Sequence, residues 1–149
     1  MSSISIFAGS VYGNAQHVAE EVNDMLSAQG IESEVFSDPE TSDFTNAESV
    51  LIITSTTGQG DVPPNLELFY SDLQDTFPLM DGKPFAVVGL GDSSYNDSFC
   101  GGGRQFYNLL SELQGKPIAE LFEVDALETL APEEEVVPWV KTIAEKLTN

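Results

Sequence analysis

Three apolar runs, at 4–8, 50–55 and 85–91, constrain this chain more than any other feature of it. They are near-continuous instead of alternating, which is the pattern of parallel strands covered on both faces, so helices are needed on each side of the sheet. The rest of the pattern supplies them. Val18, Val22, Met25 and Leu26 recur at helical spacing up to Gly30, and Leu66, Phe69, Tyr70, Leu73 and Phe77 form a second face. Phe106, Leu109, Leu110 and Leu113 form a third, and Val136, Val137, Val140, Ile143, Ala144 and Leu147 a fourth after Pro132. Two more strands read at 32–36, half apolar as an edge strand is, and at 118–124. Successive βα units with right-handed crossovers predict an α/β fold. Its core is a doubly wound five-stranded parallel sheet of order 2-1-3-4-5, with a ligand at the carboxyl ends of strands 1 and 3. No repeat, low-complexity tract or long linker divides 1–149, which predicts one domain.

Charge narrows the partners. The 149 residues are 41% apolar, enough for a core without disulfides or metal, and they carry a net charge of −20 with only five Lys and Arg. Nucleic acid is excluded as a partner, because neutralising phosphates takes cations, and anionic membrane is disfavoured for the same reason. Met1-Ser2-Ser3 leads into the first strand without a basic n-region or apolar h-region, and the apolar runs are strand-sized. A single cysteine, Cys100, leaves no internal disulfide. These features predict a cytoplasmic monomer. Glu133-Glu134-Glu135 reads as the first turn of the last helix, where negative charge opposes the positive end of the dipole. His17, with no Cys or His at ligand spacing, reads as an exposed helix residue, and no metal is expected.

The loop after the first strand narrows the ligand. Gly9-Ser10-Val11-Tyr12-Gly13-Asn14 leads into a helical pattern from Ala15, and no Lys or Arg precedes Lys83. Glycines, hydroxyls and amides at a helix N-terminus hold an anion, because unpaired N–H groups and the helix dipole both point at it. A nucleoside-triphosphate loop needs GxxxxGK[ST] and a dinucleotide fingerprint needs GxGxxG, and neither is present. What remains is a site for one terminal phosphate held by neutral donors, which suits a mononucleotide such as FMN.

Two more loops of the same composition follow strands 3 and 4, and the topology brings all three to one edge. The second is Ser55-Thr56-Thr57-Gly58-Gln59-Gly60-Asp61-Val62-Pro63-Pro64-Asn65, and the third runs from Gly89 through Gly91, Asp92, Tyr95, Asn96 and Phe99 to Cys100. On GSVYGNA, STTGQGDVP and GLGDSSY followed by FCGGG, the chain resembles the flavodoxin family over essentially its whole length. Within the family it is most similar to the short-chain MioC/YqcA type, nearer the YqcA type. The resemblance implies a flavodoxin-like fold, non-covalent FMN and low-potential one-electron transfer from a reductase to acceptor enzymes. It implies that the phosphate is held by the Ser10 hydroxyl and the backbone amides of Val11, Tyr12, Gly13, Asn14 and Ala15. By the same resemblance Gly58 matches the position whose peptide turns its carbonyl toward N5 of the flavin, and Tyr95 matches the aromatic that stacks on the ring. The neighbours Ser55, Thr56, Thr57, Gln59, Gly60, Gly91, Asp92, Asn96, Phe99 and Cys100 complete the implied cofactor-binding set. The chain departs from the usual pattern at Tyr12, where relatives carry Thr, and at Ala15, often Ser or Thr. Many relatives have an aromatic or His at Thr57, and their Phe follows the stacking Tyr by three residues where Phe99 follows Tyr95 by four.

Plainer readings stand beside these. Asp92 fits a turn-stabilising acid as well as a flavin neighbour, Asp61 reads as a helix cap, and Asp125 fits a loop acid as well as a residue at the flavin edge. Cys100-Gly101-Gly102-Gly103-Arg104 invites comparison with a phosphatase loop, but the three residues between Cys and Arg are too few to form that cradle. Cys100 reads as structural. An FMN-dependent NAD(P)H:quinone reductase is the alternative function, although no nicotinamide segment is recognisable. A phosphorylated receiver domain would need paired acids after strand 1 and an Asp ending strand 3, where this chain has Gly9-Ser10 and Thr54-Ser55. The expected partners of the acidic surface are a basic ferredoxin/flavodoxin reductase and redox acceptor enzymes, in transient complexes.

Overall fold

The computed structural model describes residues 3–9, 13–55, 62–91, 101–125 and 131–148. Strands β1 (Ile4–Gly9), β2 (Ser33–Phe36), β3 (Ser49–Ser55) and β4 (Pro84–Gly91) alternate with helices α1 (Asn14–Ala28), α2 (Thr41–Thr45) and α3 (Pro64–Thr76). Then follow α4 (Gly101–Glu112), β5 (Lys116–Pro117), β6 (Phe122–Asp125) and α5 (Glu133–Thr148). The sheet is parallel, in the order β2-β1-β3-β4-β5, with β6 also on β4. The doubly wound topology is therefore the expected one.

Side chains alternate across the central strands with period two. Ile4, Ile6, Ala8, Leu51, Ile53, Ala86 and Val88 meet Val18, Val22 and Leu26 of α1 and Val136, Val140 and Leu147 of α5. Phe7, Val50, Ile52, Phe85 and Val87 face the other way, onto α3 and α4. Both sets are buried, which is why the strands read as unbroken apolar runs. The α3 layer is aromatic. The Phe7 ring stacks between Phe36 at 5.3 Å and Phe69 at 5.1 Å, each pair adding about 0.5–1.5 kcal/mol beyond area burial.

Three local features differ from the sequence reading. The fifth strand, expected over 118–124, is split. β4 advances from Phe85 to Val88 while the opposing strand advances from Pro117 to Phe122, so that strand carries two additional residues there. Pro117 has no N–H to give, and the ladder lapses just beyond the Ile118 N–H, which still reaches the Phe85 carbonyl at 3.1 Å. Helix α3 stops before Phe77, which takes a left-handed conformation (φ 46°) and is 45% exposed instead of extending the core face. Pro78 is the reason, because a residue preceding proline is disfavoured in the helical region. Finally, α2 was not expected. It is a single turn in which the Glu40 N–H donates to Asp43 Oδ2 at 2.8 Å, and its purpose is to bury Phe44.

Candidate functional site

In a parallel sheet every strand ends on the same side, so the carboxyl edge collects the segments that follow β1, β3, β4 and β6. Register aligns them. Gly9 lies opposite Thr54, Ser55 opposite Leu90, and Gly91 opposite Asp125. Across residues 10–12 the chain passes from β1 to α1 and enters the helix through Gly13, at φ 83° with nothing within 4 Å of where a Cβ would stand. Gly13 offers no side-chain cap, and its carbonyl takes the His17 N–H at 2.9 Å as the helix begins.

The edge is braced from beneath. A Cβ on Gly9 would lie 2.8 Å from Leu66 Cγ and 2.9 Å from Thr54 Oγ1, so the last residue of β1 is closed to any side chain. Thr54 is fully buried and its hydroxyl donates to the Ser55 carbonyl at 3.0 Å, fixing the peptide from which the second loop departs. Asn65, in the first turn of α3, donates from Nδ2 to the Ala8 carbonyl at 2.9 Å and to the Ser37 carbonyl at 2.8 Å. One amide thus ties α3 to the end of β1 and to the residue after β2. Sequence reading placed Gly9 in the anion-binding loop and assigned Thr54 and Asn65 no role, although a polar Asn directly after Pro63-Pro64 was a signal available to it.

Helices α1, α3, α4 and α5 follow the strands that end at this edge, and their N-termini are treated differently. α5 carries Glu133, Glu134 and Glu135 in its first turn, as the sequence predicted, so its positive end is already opposed. α1 and α4 carry no acid in theirs, in a chain with 25 Asp and Glu. The first N–H groups of α1 lack intrahelical partners by helix geometry, and no acid of its own first turn opposes the dipole that an anion there would meet. His17 is exposed and lies 3.9 Å from Glu21 and 4.0 Å from Glu133, on the flank where α1 meets α5. The cations are elsewhere. Lys83 and Lys116 stand at the amino ends of β4 and β5, and Lys141 and Lys146 follow the middle of α5. Burial lowers the Lys83 pKa, partly offset by Asp81, while Nζ reaches the Thr45 carbonyl at 3.3 Å. Arg104 alone begins a helix at the carboxyl edge, and Glu123 of β6 holds it at 3.0 Å.

Of the expected cofactor-binding residues, the structure places Gly13, Asn14 and Ala15 at the start of α1, Ser55 at the end of β3 and Gly91 at the end of β4. All five belong to the carboxyl edge. Ala15 is fully buried in the aliphatic core, so position 15 offers an anion only its backbone. Ser10, Val11, Tyr12, Thr56, Thr57, Gly58, Gln59, Gly60, Asp92, Tyr95, Asn96, Phe99 and Cys100 lie outside the described residues, as does Asp61. The N-cap position of α3 is Pro63, which offers no side-chain cap, and Pro64 opens the helix. The glycines after Cys100 form the first turn of α4. Gly102 and Gly103 are buried, and a Cβ on Gly103 would lie 2.9 Å from the Gly89 Cα of β4. Their small size serves close helix-to-strand packing.

The flavodoxin family model matches residues 6–139. Flavodoxin YqcA of Escherichia coli (strain K12) is 43% identical over 143 residues, covering 95% of this chain and 95% of the relative. Among solved structures, a cysteine-to-serine variant of a flavodoxin from Pseudomonas aeruginosa superposes with a TM-score of 0.92 at 38% identity, covering 99% of both chains. A flavodoxin from Fusobacterium nucleatum bound to flavin mononucleotide shares the fold, with a TM-score of 0.81 at 20% identity over 98% of this chain and 99% of that one.

Proposed function

Because this chain belongs to the flavodoxin family, we propose that it binds FMN at the carboxyl edge of its sheet and carries electrons one at a time between a reductase and acceptor enzymes. The observation that carries the reading is the start of α1. It opens through a left-handed Gly13, has no acid in its first turn and stands next to the strand end where Gly9 excludes every side chain. Such an N-terminus suits one phosphate bound by backbone amides, in the manner expected of Ser10, Val11, Tyr12, Gly13, Asn14 and Ala15. When bound, the flavin supplies the redox chemistry. The chain supplies position and field: Ser55 and Gly91 launch the loops that bear Gly58 and Tyr95, the peptide and the aromatic assigned to the ring. The surrounding acids oppose added negative charge and lower the reduction potential. One pair at ~10 Å contributes only about 0.4 kcal/mol at water-like dielectric, so the effect accumulates over many carboxylates.

The protein acts as a cytoplasmic carrier rather than an enzyme, and its acidic surface steers a basic reductase into a small transient complex. Among the described residues no helix is long and apolar enough to cross a membrane. Spectra of the purified protein titrated with FMN and with riboflavin, followed by reductive titration, test the reading. Tight FMN binding, weak riboflavin binding in phosphate-free buffer and two resolvable one-electron steps are expected; equal affinity for the two flavins removes the phosphate site. Steady NAD(P)H oxidation without a reductase would favour the quinone-reductase alternative. Stopped-flow reduction by a basic reductase should slow as salt rises, since the Debye length falls from about 10 Å at 0.1 M to about 3 Å at 1 M, and a salt-independent rate removes the steering.

A further inference from the structure

We propose that the groove at the amino end of the sheet, where α1 ends and β2 begins, is a binding site for an aliphatic diamine or polyamine. It lies at the opposite end of the strands from the edge assigned to FMN, and the inference stands apart from that reading. The groove has a volume of about 580 Å³. Ile4 and Ser5 of β1, 1% and 9% exposed, are its deepest lining, and Ile31 beside them is partly buried. Ser27, Gly30, Glu32 and Glu34 are exposed and form its rim. Among the described residues no Lys or Arg lines it.

The Ser5 hydroxyl is the observation that points to a ligand. A hydroxyl taken out of water needs a hydrogen-bond partner, and its neighbours in the lining have theirs: Ser3 donates to Glu48 Oε1 at 3.4 Å and Ser33 to Asn23 Oδ1. Ser5, nine-tenths buried, has none among the described residues, and its oxygen is not sealed off, so it opens onto the groove. Two carboxylates stand by it. Register pairs Ser5 with Glu34, and the ladder continues to Glu32, whose carbonyl accepts the Ile4 N–H at 3.0 Å, so both glutamates share one face of the strand. Helix α1 ends here with no basic residue in its last turn, and its negative end adds to theirs. Acceptors around an apolar floor of Ile4 and Ile31 suit methylenes flanked by ammonium groups. A metal ion is a poorer match, since among the described residues no group of three or more ligating side chains is placed to hold one. Charges on an edge strand also deter pairing with another sheet, but that role needs no buried hydroxyl.

Putrescine titrated into the full-length protein and followed by backbone amide shifts tests the site, with butanediol as its neutral isostere and Mg²⁺ as a compact ion of the same charge. Putrescine should shift residues 3–5 and 23–34 saturably, butanediol should leave them unmoved, and Mg²⁺ in excess should leave most of the binding in place. Ser5→Ala should weaken putrescine binding about tenfold, the scale of a hydrogen bond to a charged group, and Glu34→Gln about two- to fivefold, the scale of an exposed ion pair. Glu134→Gln removes the same charge from the first turn of α5, at the other end of the molecule, and should change nothing. Thermal midpoints without ligand show that each variant is folded. Shifts spread over the whole acidic surface, full displacement by Mg²⁺, or equal losses in Glu34→Gln and Glu134→Gln reduce the amine to a diffuse counter-ion and overturn the site. So does a folded Ser5→Ala that binds putrescine as the parent does. A protein that takes no FMN undoes the proposed function and leaves this test standing.

Discussion

Helices α1 and α4 both begin at the carboxyl edge and both begin with glycine, yet for opposite reasons. Gly13 sits at φ 83° in open space, where a side chain has room but the backbone conformation is unfavourable to it. Gly103 has no such dihedral constraint, and a Cβ there would stand 2.9 Å from the Gly89 Cα, a backbone atom that cannot swing aside. One glycine is needed for conformation, the other for space. The first leads the chain into α1 without a side-chain cap; the second lets α4 pack directly on β4. In the proposed function the α1 approach is the one assigned to phosphate, and the α4 approach follows the loop whose Tyr95 is assigned to the ring.

The largest expected effect separates the two directly. Gly103→Ala should cost roughly 1–3 kcal/mol of stability in chemical denaturation, the scale of overpacking against an unyielding neighbour, and Gly103→Asn should cost more. A Gly103→Ala protein as stable as the parent would erase the distinction. Next, Tyr95→Ala should weaken FMN binding by roughly 1–3 kcal/mol, the scale of aromatic stacking on a base-like ring, while leaving the apoprotein's denaturation midpoint unchanged. An unaltered dissociation constant and unaltered potentials remove Tyr95 from the ring. Smallest of all, Gly13→Ala should destabilise by about 1 kcal/mol, and Gly13→Asn by less, because asparagine visits the left-handed region more readily. The order of Ala and Asn at position 13 is thus the reverse of that at position 103. Finding the same order at both positions would collapse the comparison into a general intolerance of side chains. Gly13→Ala should also weaken FMN more than riboflavin, since the strain falls on the amides assigned to phosphate.

Much of the fold was legible because it is written in local periodicity. The strands β1, β3 and β4 follow from unbroken apolar runs and the core faces of α1, α4 and α5 from residues that recur at period 3.6, and the sheet order followed from handed crossovers. The acidic first turn of α5 was readable for the same reason. Phe77 misled that reading because its spacing suits a helix while Pro78 forbids the helical conformation one residue earlier. The split of the fifth strand was missed because 118–124 is apolar enough for a continuous strand, whereas continuity depends on which carbonyls of β4 lie opposite.

By itself the sequence determined the layers, their order, the edge where the three glycine- and hydroxyl-rich loops meet, and the absence of a cation before Lys83. Those properties reside in single segments or in composition, and no partner is required to read them. Tertiary structure alone decided how the edge is braced. Asn65 reaches Ala8 and Ser37, Gly103 rests on Gly89, Gly9 is closed by Leu66, and Arg104 finds Glu123. Each is a contact between residues far apart in the chain, whose spacing carries no periodic signal. Their energy exists only after the sheet has placed two backbones within a few ångströms of one another.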